Sequence, residues 1–187
     1  MTEKQFIFKI VLIGDGAVGK TSIRMQYMGY GFNTSHLMTL GADFSSIDKE
    51  IIPNEKWKFQ IWDLAGQQMF EQVRARFYKG AQGALLVFDI TRPSSFQNLP
   101  MWLNELYKFN GSGVVPVVVL ANKSDLRDRK SVKFKHVEKY VSELNLRTQR
   151  YGVTNYCLET SAKTGLNIDR AFEILGRSIR DKSSKKT

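Results

Sequence analysis

Cysteine occurs once in these 187 residues, at Cys157. No disulfide can therefore form within the chain, and a reducing, cytoplasmic setting is the expectation. Within a predicted strand, this lone thiol reads as a packing residue rather than a reactive one. Histidine occurs only at His36 and His136, neither with partners at metal-ligand spacing, which argues against zinc. No uninterrupted apolar stretch approaches the roughly 18 residues that a bilayer span requires. Lys9 breaks the first apolar run and no small-residue cleavage site follows, so the N-terminus does not read as a secretory signal. Thr2 in the place of glycine excludes N-myristoylation. Acidic residues are scarce too, 18 against 28 Lys and Arg, for a net charge of +10. That excess sits in two segments, residues 126–150 (eight basic, three acidic) and 177–187 (five basic, one acidic). Neither carries the recognition helix or interleaved aromatics of a nucleic-acid reader. They read as solvated helix faces and a basic tail, with weak attraction to an anionic membrane surface as the other reading.

The residues that are present suffice for one substantial core. Hydrophobic residues make up 42% of the chain, which excludes a disordered protein. The expected division is a single domain over residues 1–179 and a basic tail over 180–187. Three continuous apolar runs, 6–13, 84–90 and 114–120, read as strands buried on both faces. Phe44 to Ile52 and Trp57 to Trp62 read as a half-exposed hairpin turning at Pro53-Asn54-Glu55, and Asn155 to Glu159 as a sixth strand. Helical periods cover Ser22 to Met28, Met101 to Phe109 and the faces Phe134-Val137-Val141-Leu144 and Ile168-Ala171-Phe172-Leu175-Ile179, with Asn167 as N-cap of the last. Strands alternating with helices predict an α/β sheet covered on both faces.

Gly14-Asp15-Gly16-Ala17-Val18-Gly19-Lys20-Thr21 matches the phosphate-loop pattern G-x-x-x-x-G-K-[ST] between a predicted strand and a predicted helix. Backbone N–H groups of such a turn, with the helix start through Ser22, wrap a phosphate. Lys20 is expected on the β- and γ-phosphates and the Thr21 hydroxyl on Mg²⁺. Trp62-Asp63-Leu64-Ala65-Gly66-Gln67 closes another strand. Asp63 suits Mg²⁺ held through a water, the Gly66 N–H a γ-phosphate, and Gln67 an attacking water. By itself, an Asp ending a strand is as well a turn residue. Asn122-Lys123-Ser124-Asp125 follows the most apolar strand, where open α/β sheets bind ligands. The Asp125 carboxylate can accept two parallel hydrogen bonds from guanine, a pattern adenine does not offer, although N-K-x-D alone also fits a polar turn. Ser161, Ala162 and Lys163, within Glu159-Thr160-Ser161-Ala162-Lys163, permit close approach of a backbone N–H to the base, or form an ordinary loop. Between Gly29 and Ala42 neither period holds; loops this long are functional or disordered, and Phe32 and Thr39 are its notable residues.

With these motifs in order, the chain resembles a Ras-like small GTPase of the Rab branch over about residues 6–179. Rab-like runs include Leu40-Gly41-Ala42-Asp43-Phe44, Phe77-Tyr78-Lys79-Gly80-Ala81, Leu86-Val87-Phe88-Asp89-Ile90-Thr91 and Glu159-Thr160-Ser161-Ala162-Lys163-Thr164-Gly165. The resemblance implies a P-loop NTPase fold of six mostly parallel strands, one antiparallel, flanked by five helices. It implies Phe32 against the guanine edge and Thr39 on Mg²⁺ and the γ-phosphate. Three departures stand out. Gln68 occupies a position where the family carries a Glu thought to pair with the loop lysine during exchange. Leu64 replaces a small residue. The sequence ends Ser183-Ser184-Lys185-Lys186-Thr187 without the family's prenylated cysteines, which fits either a truncated sequence or an unlipidated relative.

The resulting expectation is a GTP-hydrolysing switch, with Gln67, Gly66, Lys20 and Thr39 as the catalytic group and GTP or GDP with Mg²⁺ bound. Effector, exchange-factor and activating proteins are expected on residues 30–45 and 64–78 of a monomer. The protein would be cytoplasmic, and peripheral on membranes if the native tail is longer and lipidated. Unaided hydrolysis is expected to be slow, since no arginine stands out as a finger in cis. A non-catalytic GTP/GDP-binding scaffold of the same fold is the alternative, and an ATP-using phosphotransferase is disfavoured by Asp125.

Overall fold

The computed structural model describes residues 4–32, 39–128 and 131–184. His36, part of the loop before Thr39, and the last three residues of the basic tail lie outside them. Six strands form one sheet: β1 (Lys4–Ile13), β2 (Ala42–Ile52), β3 (Glu55–Leu64), β4 (Gly83–Asp89), β5 (Val117–Asn122) and β6 (Tyr156–Glu159). Their order is β2-β3-β1-β4-β5-β6. Only β2 runs antiparallel to its neighbour, joined to β3 by the hairpin at Pro53 and Asn54. Asn54 takes the left-handed conformation there, which asparagine tolerates in tight turns.

The helices are α1 (Lys20–Tyr27), α2 (Glu71–Tyr78), α3 (Pro93–Gln97), α4 (Leu99–Phe109), α5 (Phe134–Thr148) and α6 (Ile168–Ser184). Only Asn98, itself helical in conformation, separates α3 from α4, so the two act as one broken helix and the sheet has five helical flanks. The apolar run 114–120 contributes a strand only from Val117, because Pro116 has no N–H to give to the ladder. Residues 180–184, which the sequence sets apart as tail, continue α6. Arg180 there donates to Glu55 at 2.5 Å. Asn167 precedes α6 in the left-handed region, and its amide nitrogen donates to the Glu159 carbonyl at 2.8 Å.

Alternate residues of β1 face opposite layers. Ile10 and Leu12 pack with Ile23, Trp57, Phe59 and Phe172 under α1 and α6, while Val11 and Ile13 pack with Tyr78, Leu86, Phe88 and Trp102 under α2 and α4. The period of two along a strand produces both cores from one apolar run. Each fully buried large side chain contributes about 1.5–3 kcal/mol. The parallel strands therefore end together, and the loops following β1, β3, β5 and β6 gather at one edge of the sheet.

Candidate nucleotide site

At that carboxyl edge lies a cavity of about 530 Å³. Its walls include Gly16, Ala17, Gly19, Lys20, Thr21 and Ser22 from the first loop, Phe32 and Thr39 from the second, Gly66 and Gln67 from the third. Asn122, Lys123, Asp125, Ala162 and Lys163 close the opposite end. Of the residues expected to bind nucleotide, Gly14, Asp15, Val18 and Ser161 do not line the cavity; they build its frame instead. A Cβ on Gly14 would stand 2.0 Å from the Val87 carbonyl oxygen, so β1 can pass β4 into the loop only without a side chain. Val18 is fully buried in the core. Ser161 Oγ donates to Asp125 at 2.6 Å and fixes its carboxylate.

The phosphate end is built around Lys20. Its ammonium is buried and donates to the Gly14 and Asp15 carbonyls, both at 2.8 Å. Burial pulls its pKa down to about 8, against the opposing pull of Asp63 and Asp15. Gly66 lies against the phosphate loop so tightly that a Cβ there would stand 2.4 Å from Gly16 N. Gln67 follows; its Oε1 is buried and has no hydrogen-bond partner among the described residues. A Cβ on Gly16 would be 3.9 Å from Gln67 Nε2 and from the Gly66 carbonyl, so this side of the loop stays open towards the glutamine.

Beside Lys20 the hard oxygens converge. Thr21 Oγ1 donates to Asp63 Oδ2 at 2.5 Å, Thr39 Oγ1 lies 2.9 Å from Thr21 Oγ1, and Thr39 reaches Asp63 at 3.5 Å. Asp63 is fully buried, its Oδ1 has no hydrogen-bond partner among the described residues, and burial raises its pKa. A buried carboxylate oxygen without a donor costs about 1–3 kcal/mol or more. Two hydroxyls and that oxygen are the donor set that suits Mg²⁺.

At the opposite end of the cavity, Asn122 and Lys123 tie loops together. Asn122 donates to the Val18 carbonyl at 2.8 Å and accepts from Ala162 N at 3.3 Å. Lys123, in the left-handed conformation, donates to the Ala17 carbonyl at 2.9 Å and pairs with Asp89 at 2.7 Å. The loops following β1, β5 and β6 are thereby one unit. Asp125 stays on the cavity wall with one oxygen held by Ser161.

Sequence reasoning missed a second layer supplied by α4. Asp15 turns away from the cavity, accepting from Trp102 Nε1 at 2.7 Å and Asn98 Nδ2 at 2.9 Å. Arg74, fully buried on α2, donates to both oxygens of Glu105 at 2.7 and 2.9 Å and to the carbonyls of Ala65 at 2.9 Å and Gln67 at 2.5 Å. Its guanidinium lies 4.6 Å from the Trp102 ring centroid, and Tyr78 donates to Glu105 at 2.9 Å. Arg92, not singled out by the motifs, donates to the Gly16 carbonyl at 2.7 Å from an adjoining groove, outside the cavity lining.

Comparison with known proteins gives a consistent result. A family model described as the Ras family matches residues 9–181. The human Ras-related protein Rab-8B is 37% identical over 181 residues, 97% of this chain and 82% of that protein. Mouse Rab-8A is 36% identical over the same span and shares. Bovine Rab-13 is 37% identical over 177 residues, 95% of this chain and 82% of its own length.

Proposed function

Because this chain belongs to the Ras family, on its Rab branch, and is a GTP-binding and GTP-hydrolysing switch, we propose that the cavity described above is its nucleotide site, with the following roles. The GTPase domain spans residues 1–179, and residues 180–187 add basic charge. Lys20 and the loop Gly14 to Ser22 hold the phosphates, Asp125 reads guanine with Ala162 and Lys163 beside it, and Phe32 covers the base edge. Thr21 and Thr39 ligate Mg²⁺, with Asp63 holding it through a water. When bound, that ion neutralises charge on the β- and γ-phosphate oxygens.

The observation that carries the catalytic reading is the Gln67 amide: its Nε2 lies 3.9 Å from where a Cβ on Gly16 would stand, and its buried Oε1 has no hydrogen-bond partner among the described residues. There it accepts a hydrogen bond from a water and orients that water towards the γ-phosphorus. Water adds to phosphorus, the bond to the β–γ bridging oxygen breaks, and GDP and phosphate leave. The Gly66 N–H and Lys20 stabilise the charge that develops. Loss of the γ-phosphate removes the ligand that Thr39 and Gly66 share, and so releases the segments about 30–45 and 64–78, on which effectors, exchange factors and activating proteins dock. Membrane traffic is the process that relatives of the Rab branch suggest. Among the described residues no helix is long and apolar enough to cross a membrane. We place the protein in the cytoplasm as a monomer, with its basic end making weak contact with anionic membranes.

Single-turnover phosphate release tests the assignment. Gln67→Leu is expected to slow it at least ten-fold with GTP affinity unchanged; release at the wild-type rate overturns the role of Gln67. Competition between GTP and ATP for binding tests Asp125, and preference for ATP overturns the base assignment.

A further inference from the structure

Arg24 is a buried cation one turn into α1, between the core residues Ile23 and Tyr27. Its Nη2 pairs with Asp43 Oδ2 at 2.5 Å and its Nη1 donates to Ser45 Oγ. Its Nε lies 3.9 Å from Asp63 Oδ2 and makes no hydrogen bond among the described residues. Asp43 and Asp63 face each other across the β2–β3 ladder, so two carboxylates share one guanidinium. They share it unequally. The Asp43 side chain is 56% exposed and well solvated, whereas that of Asp63 is fully buried.

Arginine does not lose its proton in proteins, so this positive charge is permanent. It lies against the same carboxylate oxygen that accepts from Thr21, next to the hydroxyls assigned to Mg²⁺. A buried cation against Asp63 competes electrostatically with a divalent cation at the neighbouring hydroxyls, and low local dielectric strengthens that competition. Asp43 offsets it, but only partly, because its charge is screened by water.

We propose that Arg24 is a positioning residue that weakens the hold on Mg²⁺, and through Mg²⁺ the hold on the nucleotide phosphates. Arg24 compensates the Asp63 charge when the metal leaves, so GDP is released at a Mg²⁺ concentration that would retain it with an apolar residue on α1. Asp43 tunes the effect in the opposite sense. The inference rests on the proposed metal role of Thr21, Thr39 and Asp63.

The test is the dissociation rate of a fluorescent GDP analogue from the full chain across buffered free Mg²⁺. The Mg²⁺ concentration that half-maximally slows release is expected to fall about ten-fold in Arg24→Met and to rise about three-fold in Asp43→Asn. Arg24→Lys, which keeps the charge, is expected to stay near wild type. Opposite shifts in the first two variants are the signature, since a merely structural role would loosen the site in both. Shifts in the same direction, or none, overturn the inference while leaving the metal site standing. Release from the wild type that ignores Mg²⁺ overturns the metal site and this inference together. Asp43 is solvent-exposed, so Asp43→Asn keeps the test decisive should Arg24→Met fold poorly.

Discussion

Two segments flank the phosphate end, and they are held in opposite ways. On the first, Thr39 reaches the site through a hydroxyl contact of 2.9 Å with Thr21, and its neighbour Leu40 is largely exposed. The second, from Leu64 to Tyr78, is clamped from behind. Arg74 ties the Ala65 and Gln67 carbonyls to Glu105, and Tyr78 closes the pair from the same helix. The first tether runs through groups assigned to a metal, while the second joins side chains of α2 and α4 to the backbone of the segment itself. A switch can therefore report its nucleotide on one side while keeping the glutamine proposed as catalytic framed on the other. We expect the framing of Gln67 to depend on α4 and the order around Thr39 to depend on Mg²⁺ and phosphate.

Breaking the clamp should have the largest effect. Glu105→Ala leaves Arg74 buried and uncompensated, which costs about 3–5 kcal/mol; chemical denaturation measures it. The paired change Arg74→Met with Glu105→Leu should restore much of that stability, because no charge is left unpaired. Restored stability without restored catalysis is the informative result. In the paired variant, single-turnover phosphate release should still fall about ten- to hundred-fold, since the Gln67 backbone has lost its anchor. Wild-type hydrolysis there would mean that the clamp serves stability alone.

A smaller effect is expected at Trp102, where the clamp meets the phosphate loop. Trp102→Phe keeps a ring near Arg74 but removes the indole donor to Asp15, with a cost of about 1–3 kcal/mol. Nucleotide affinity should weaken with it, because Asp15 frames the loop. On the first segment, Thr39→Ala should change stability by less than about 0.5 kcal/mol, as a partly exposed position does. It should nevertheless abolish the difference in hydrogen exchange around residues 39–44 between GTP- and GDP-bound protein. The slightest perturbation is removal of Mg²⁺ by a chelator with GDP retained. Exchange should rise at residues 39–44 and stay unchanged at 71–78, and equal responses would erase the contrast.

Much of the fold and the first layer of the site was legible in the linear chain. Apolar runs such as 84–90 read as buried strands because they are too short for a typical helix and sit in an alternation of strands and helices. The loop Gly14 to Thr21 is legible because its backbone demands are local and its chemistry is contiguous. Pro116 shows the limit even there: apolar character extends to Val114, but β5 begins only at Val117, after a proline that has no N–H to donate. Arg74 and Glu105 were not legible. On α2 and α4 they read as ordinary charged helix positions, and only their placement among Val73, Phe77, Leu103 and Leu106 hinted at burial. Arg24, between Ile23 and Tyr27, gave the same faint signal.

The sequence by itself determined the alternation of strands and helices, the phosphate-loop motif, and the groups proposed to contact guanine, phosphate and metal. Each of these is encoded within a few neighbouring residues, through φ preferences, period and donor chemistry. Only the tertiary structure decided that Asp15 faces Trp102 rather than the cavity, that Arg74 on α2 frames Gln67 with Glu105 of α4, and that Arg24 lies beside Asp63. Those partners lie tens of residues apart, and a charged side chain declares no partner until packing removes the water around it.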